Sequence, residues 1–257
     1  MNQVEYTVQD RIGFITLNRP EKRNALSFEL VAALKNAFDV AERDNTVKVV
    51  VLRANGEAFC AGADLGYLQQ LQKFSYEENL ADSNHLKELF LKIYTLKKVV
   101  IAQVQGHALA GGSGLATVCD FSFAVPEAKF GYTEVKIGFI PAIVMIFLLR
   151  KIGEAKARQL LLTGDLITAE EARAIGLINL VTSKETLHQE VYTFAQRLIA
   201  SNSATSMEYT KQMMASVQSL PLDDALTFAS TMNAKARASE DCIRGIQAFL
   251  NKEKITW

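Results

Sequence analysis

Cysteine is scarce in this sequence: Cys60, Cys119 and Cys242 are the only three, and they lie far apart. An odd, scattered count argues against a disulfide framework and is ordinary for a reducing compartment, so a cytoplasmic setting is expected. Histidine is as scarce, with His85, His107 and His188, and no spacing among these residues resembles a metal site. Neither sign of charge is in excess, since Lys+Arg and Asp+Glu each number 28. That balance argues against a nucleic-acid surface or a polybasic membrane contact, while a local basic cluster could still hold a small anion. No long hydrophobic run exists: the most apolar stretch, 139–149, contains Pro141 and falls well short of the roughly 20 residues that cross a bilayer. The opening MNQVEYTVQDRIGFITLNRP has neither the basic stretch nor the apolar run of a signal peptide. Low-complexity segments and exact repeats are also missing.

What the chain does have is material for a core, with 49% hydrophobic residues in 257 positions. That length suits one α/β unit with a helical tail. Val4, Tyr6 and Val8 alternate with polar residues, and Ile12–Leu17 follows a turn near Asp10, so two strands are expected there. Ser27 is placed to cap a helix whose Leu30, Leu34, Ala37, Phe38 and Ala41 share one face. KVVVLR (48–53), VVIAQV (99–104), Phe121–Val125 and Leu177–Val181 read as further strands, and Leu86, Leu89, Phe90, Ile93 and Leu96 as a helix stripe. Short strands separated by helices predict stacked ββα-like turns with partly parallel sheets. Beyond about Gly153 helix formers dominate. The expected division is a core over 1–200 and a helical C-terminal region over 201–257.

Twice a strand runs into a Gly/Ala-rich turn before a helix: KVVVLR into AFCAGADL, and VVIAQV into GHALAGGSGL. Such turns expose backbone N–H groups at a helix N-terminus, where the dipole favours negative charge. Two converging turns could form an oxyanion hole for a carbonyl that becomes an enolate. For either turn taken alone, close packing is the reading that the small residues favour. Familiar motifs fail: Gly106-x4-Gly111 lacks the Lys-Ser/Thr of a P-loop, Gly112-Ser-Gly114 lacks the glycine at 117 of a dinucleotide fingerprint, and GGSGL is not a serine-hydrolase elbow. His107 reads as a packed or hydrogen-bonded histidine rather than a base. Glu134, in KFGYTEVKIGFIP, has apolar company in Tyr132, Val135 and Ile137. It is either a solvated loop residue or a partly desolvated acid/base.

AFCAGADL (58–65), IAQVQGHALAGGSGLATVCD (101–120), AKFGYTEVKIGFIP (128–141) and LLTGDLITAEEARAIGLINLV (161–181) resemble, in order and separation, four landmark segments of the crotonase (enoyl-CoA hydratase/isomerase) superfamily. NRPEKRNAL (18–26) resembles the family's lead-in segment, and the likeness runs from near residue 5 to 250. The resemblance implies a spiral of ββα turns with a C-terminal helical oligomerisation region, assembled as a homotrimer or homohexamer. It implies an acyl-CoA thioester as substrate and no separate cofactor, coenzyme A being part of the substrate. By position it implies that the N–H groups of Ala63 and Gly111 form the oxyanion hole and that Glu134 is the catalytic carboxylate. Arg23, Ala25, Ala61, Asp64 and Leu65 match residues lining the CoA cleft, and Lys252 and Lys254 match basic residues that reach CoA phosphates from a helical tail or a neighbouring subunit.

Two departures stand out. Gly114 occupies the place where typical hydratases carry a first glutamate, and Ala142-Ile-Val-Met145 replaces the family's glycine-rich stretch. AGGSGL with TEVKIGFIPAIV is similar to a bacterial subgroup that includes hydratases of 3-methylglutaconyl-CoA and related branched substrates. A single glutamate leaves three readings: a 2-enoyl-CoA hydratase, a Δ3,Δ2-enoyl-CoA isomerase, and a non-catalytic acyl-CoA-binding protein. On this reading Gly114→Glu would restore a second carboxylate.

Overall fold

The computed structural model describes residues 2–257. Its main sheet has six strands in the order β1 (Val4–Gln9), β2 (Ile12–Leu17), β3 (Val49–Ala54), β4 (Val99–Val104), β6 (Phe121–Ala124) and β9 (Leu180–Val181). Only the β1–β2 pair is antiparallel; the others run parallel. The β1–β2 hairpin turns through Asp10 and Arg11, both at positive φ (49° and 65°), as a tight turn between twisted strands requires. All six residues of β2 and the first four of β3 are buried, the pattern of strands covered on both faces. A second sheet joins the short strands β5 (Ala108–Leu109), β7 (Lys129–Gly131) and β8 (Ile167–Thr168).

Helix α1 (Phe28–Arg43) begins as its sequence predicts: the Ser27 side chain accepts from the Leu30 N–H, and Leu30, Leu34, Ala37, Phe38 and Ala41 are buried. Two helices follow β3, α2 (Leu65–Leu71) and α3 (Tyr76–Thr95), the latter started by a Ser75/Glu78 capping box. Helix α4 (Gly111–Val118) opens immediately after β5, and α5 (Ala142–Ile152) packs on it. Helices α6 (Glu154–Thr163), α7 (Ala169–Ala174) and α8 (Lys184–Ser201) complete this part, α8 lying across β3, β4 and β6. Three further helices, α9 (Ala204–Val217), α10 (Leu222–Arg237) and α11 (Glu240–Leu250), form the helical C-terminal region. Among the described residues no helix is long and apolar enough to cross a membrane.

Lysines bind carbonyls at helix C-termini, a feature that apolar periodicity does not reveal. Lys48 Nζ donates to the Ile199 and Asn202 carbonyls at the end of α8, at 2.7 and 2.6 Å. Lys151 Nζ, on α5, likewise donates to the carbonyls of Thr117, in the last turn of α4, and of Cys119, its C-cap. Each places a cation where helix carbonyls are left unpaired and the dipole is negative.

Candidate active site

The turns after β3 and β4 lie at the C-terminal ends of parallel strands and hydrogen-bond directly to each other. The N–H groups of Phe59 and Cys60 donate to the His107 carbonyl (3.1 and 3.2 Å), and Leu109 N–H donates to Cys60 O (3.0 Å). Glycine is obligatory at two points of this contact. A β-carbon at Gly106 would lie 1.8 Å from Glu57 O, and one at Gly112 would lie 2.1 Å from Cys60 O. Close packing therefore explains Gly106 and Gly112, but it does not explain Ala63 or Gly111. Leu26 pairs with the residues on either side of Ala63, donating to Gly62 O and accepting from Asp64 N–H, which turns the Ala63 N–H away from that contact. Gly111 is the first residue of α4, so its N–H has no partner within the helix. Among the described residues neither N–H meets a protein acceptor. The preceding Ala110 holds φ 49° and ψ −119°, a conformation in which residues other than glycine are strained. It stays there because its N–H donates to Gly131 O (2.7 Å) and its carbonyl accepts from Gly114 N–H (3.0 Å).

Two candidates from the same turn are structural. Ser113 Oγ donates to Ala108 O (2.7 Å) and accepts from Gly131 N–H (2.9 Å), so it is spent joining β5 to β7. His107 Nδ1 accepts from the Lys129 N–H at 3.2 Å, which anchors the same edge.

Glu134 follows β7 by three residues, on a 3-10 turn spanning Thr133–Ile137. The turn is closed by Gly138 at φ 75°, and Phe139 N–H donates to the Glu134 carbonyl at 3.0 Å. Half of the side chain's polar surface is committed to nothing: Oε2 is buried without a hydrogen-bond partner. Burial raises the Glu134 pKa above the ordinary carboxylate value, opposed by a hydrogen bond from its own backbone. The alternative of a solvated loop residue is therefore set aside. The neighbouring Tyr132 hydroxyl is already engaged with Thr117 Oγ1 at 2.6 Å.

Gly114 faces no empty slot. A β-carbon there would lie 2.3 Å from Val144 Cγ1 and 2.8 Å from Phe90 Cε1, both on buried side chains. The expectation that Gly114→Glu simply restores a carboxylate is thereby corrected, because the volume is already filled from α5 and α3. Two clefts, of about 470 Å³ between α1 and α3 and about 340 Å³ near Lys48 and Lys98, include none of the candidate residues. Their linings mix both signs of charge, and it is the chemistry of the turns that locates the site.

Residues 7–257 match the family model described as Enoyl-CoA hydratase/isomerase. The chain belongs to the enoyl-CoA hydratase/isomerase family. A Thermus thermophilus relative carrying an enoyl-CoA hydratase name is 41% identical over 252 residues, 98% of each chain. A protein of Syntrophomonas wolfei named crotonyl-CoA hydratase is 33% identical over 251 residues, 97% of this chain and 95% of its own. Among solved structures, an enoyl-CoA hydratase from Shewanella pealeana superposes with TM-score 0.93 at 29% identity, covering 99% of this chain and 96% of the other.

The residues matched to the family's CoA cleft separate into two groups. Arg23, Ala61 and Leu65 lie along the edge that also carries Ala63: Ala61 N–H donates to Arg23 O (3.0 Å) and Leu65 is 79% exposed. Ala25 is buried behind that edge and Asp64 has a scaffold role. Asp64 caps α2 through the N–H groups of Gly66 and Tyr67 (2.9 and 3.1 Å) and pairs with Arg19 at 3.2 Å. Burial pushes its pKa up, but the Tyr67 and Gly66 N–H groups and Arg19 prevail and hold it below the usual carboxylate value. Sequence reasoning missed Arg19 and Asn24. The fully buried Asn24, at φ 53°, donates to the Asn55 and Ala58 carbonyls and accepts from Arg19 N–H. An Asn next to Arg in a Pro-started loop was the available signal, since Asn tolerates the left-handed region.

Lys252 and Lys254 are not brought to this edge. They follow α11, and the tail docks at the opposite end of the parallel strands: Trp257 stacks on Arg244, its carbonyl accepts from Arg11, and its N–H donates to Ala200 O. Of the two routes the resemblance implies for these lysines, a helical tail or a neighbouring subunit, this chain's own tail docks away from the edge carrying Ala61 and Leu65.

Proposed function

We propose that this chain hydrates 2-enoyl-CoA thioesters, with Glu134 as the acid/base and the Ala63 and Gly111 N–H groups receiving the thioester oxygen. The observation that carries the reading is the combination of a buried, unpartnered Glu134 oxygen with two unpaired N–H groups held by mutually bonded turns. The N–H groups polarise the carbonyl, so electron density drains from C3 and a water oxygen can add there. The charge then rests on the enolate oxygen, where each donor is worth about 10²–10³-fold in rate. A carboxylate with a raised pKa is well matched to taking and returning a proton near neutral pH, which contributes about 10²–10⁴-fold. These parts suffice without a further cofactor, and coenzyme A enters as part of the substrate.

One observation favours a second reaction. Because the slot beside Gly114 is filled, a single carboxyl serves the site, and moving a proton from C2 to C4 of a 3-enoyl thioester needs only one base. The test is to incubate the protein with 2-enoyl, 3-enoyl and 3-methylglutaconyl thioesters and identify products by mass. A 3-hydroxy product supports hydration, and label from deuterated solvent at C4 without hydroxy product supports isomerisation. Binding of thioesters without any turnover would leave a non-catalytic binding protein. Gly111→Pro probes the hole, since proline is accepted at the first helical position but donates no hydrogen bond; turnover should fall roughly 10²–10³-fold.

The same reading includes a homotrimer or homohexamer. In support, the C-terminal helices leave Met214, Leu222, Leu226, Ile243, Ile246 and Phe249 more than half exposed, more apolar surface than a monomer ordinarily shows water. Sedimentation giving only monomer at micromolar concentration would refute it. A cytoplasmic setting is part of the proposal too, in keeping with three free thiols, and cell fractionation checks it.

A further inference from the structure

The two departures from the family pattern, Gly114 and the Ala142–Met145 stretch, meet in space. Gly114 lies one turn into α4 from Gly111, and Val144 lies in the first turn of α5, which follows the Glu134 segment through Pro141. Val144 is 4% exposed and Phe90 is fully buried; Phe90 in turn stacks on Phe147 of α5, ring centroids 5.9 Å apart. A side chain at 114 and the valine at 144 would compete for one volume, with 2.3 Å between the β-carbon of the first and Cγ1 of the second. No ordinary carbon contact is that short, so a side chain at 114 requires Val144 to give way.

We propose that Val144 is a reaction-determining residue: by filling the volume beside Gly114 it excludes a second carboxyl and the water such a group would hold, so that Glu134 performs both proton transfers. The chemical half rests on the hydratase reading above, whereas the packing half stands without it. In the resulting sequence Glu134 takes a proton from water as the oxygen–C3 bond forms. The C2=C3 electron pair moves to the thioester oxygen, which is held by the Ala63 and Gly111 N–H groups. The enolate then collapses and C2 takes the proton back from the Glu134 carboxyl. No net proton is gained or lost and nothing is oxidised. A single ionisation governs the acid limb of kcat/KM.

The experiment is a melting and kinetic cycle on the full chain: wild type, Gly114→Glu, Val144→Gly and the double variant. Overpacking predicts that Gly114→Glu lowers Tm by roughly 2–12 °C, and that most of this loss disappears in the Val144→Gly background. With a crotonyl thioester the wild type should show one acid-side ionisation in kcat/KM, and the double variant should gain a second. A Gly114→Glu protein melting like wild type, an additive cycle, or two acid-side ionisations in the wild type would overturn the proposal. Should the glutamate variants fail to fold in both backgrounds, Gly114→Ala with and without Val144→Gly runs the same cycle, because the β-carbon alone makes the collision. A wild type that turns over no enoyl thioester would sink the hydratase reading, while the melting cycle would still decide whether Val144 excludes a side chain at 114.

Discussion

Replacing Ala110 with glycine should make the protein more stable and less active. Ala110 sits at φ 49° and ψ −119° at the junction of β5 and α4, and its ψ sets the direction of the Gly111 N–H. Holding a residue other than glycine in so sparsely populated a region costs about 1–3 kcal/mol. Glycine would release that strain but enlarge the freedom of the unfolded chain, an opposing effect of about 0.4–1 kcal/mol. It would also remove the methyl group that closes on Gly62, whose own β-carbon would lie only 2.9 Å away. The balance is a stabilisation of about 1 kcal/mol, or a Tm about 2–4 °C higher for a chain of this size. The kinetic effect has the opposite sign. With alanine, the bonds from Ala110 N–H to Gly131 and from Gly114 N–H to Ala110 fix one peptide orientation; glycine admits others in which the Gly111 donor points elsewhere. Turnover should fall several-fold, bounded by the roughly 10²–10³-fold loss of a whole donor. Thermal melts beside steady-state hydration of a crotonyl thioester measure both effects. A glycine variant that melts lower and turns over like the parent would show Ala110 to be relaxed and unimportant to the hole.

Three other outcomes are expected. Glu134→Gln should cut turnover about 10²–10⁴-fold while raising Tm at neutral pH: the folded-state pKa of Glu134 is raised, so its favourable contribution exists below the unfolded pKa and is lost as pH rises through the folded value. The Tm gain should therefore vanish near pH 4, and a neutral-pH loss of stability would contradict the unpartnered burial. Lys48→Met should destabilise more at pH 10 than at pH 7, read by denaturant melts at both pH values. Burial lowers the Lys48 pKa to about 8, and a depressed lysine adds stability as pH rises from there toward the unfolded 10.5. Asp64→Ala removes an N-cap and the Arg19 ion pair together, so a loss of about 1–2 kcal/mol by chemical denaturation is expected, with KM for the thioester rising more than kcat falls because Asp64 scaffolds the edge carrying Ala63.

The legible parts of this chain are those where neighbours in sequence are also neighbours in force. Strands β2 and β4 can be bounded to the residue because nearly continuous apolar runs, interrupted only by Thr16 in β2 and Gln103 in β4, are what a parallel sheet covered on both faces selects. The α1 start was readable from Ser27 alone, since a cap bonds within three residues. The second sheet was not readable: β5 and β8 have two residues each and β7 three, too few for any periodicity. Leu177–Val181 reads as a strand, yet only Leu180 and Val181 pair with β6, while Leu177 and Ile178 are buried ahead of the pairing. Lys48 reads as the first residue of a strand, but its partners are carbonyls some 150 positions away.

The site divides along the same line. Its donors were legible, because a backbone N–H needs only a small-residue turn and a helix start, and both are local. The choice between packing and catalysis for those turns was not, because it depends on which glycines face backbone across the contact. Gly106 and Gly112 do, and Gly111 has only the tip of Leu26 near it. Gly114 is the sharpest case. In sequence it is a missing carboxylate, which invites the inference that the chemistry has a gap to be refilled. In space it is one half of a packed pair whose other half lies on α5, where the sequence shows a second, seemingly unrelated departure at Val144. Two substitutions that each look like loss when read along the chain are, across the α4–α5 contact, one exchange of volume between partners. On the proposed reading it leaves Glu134, whose own burial raises its pKa, as the single proton carrier.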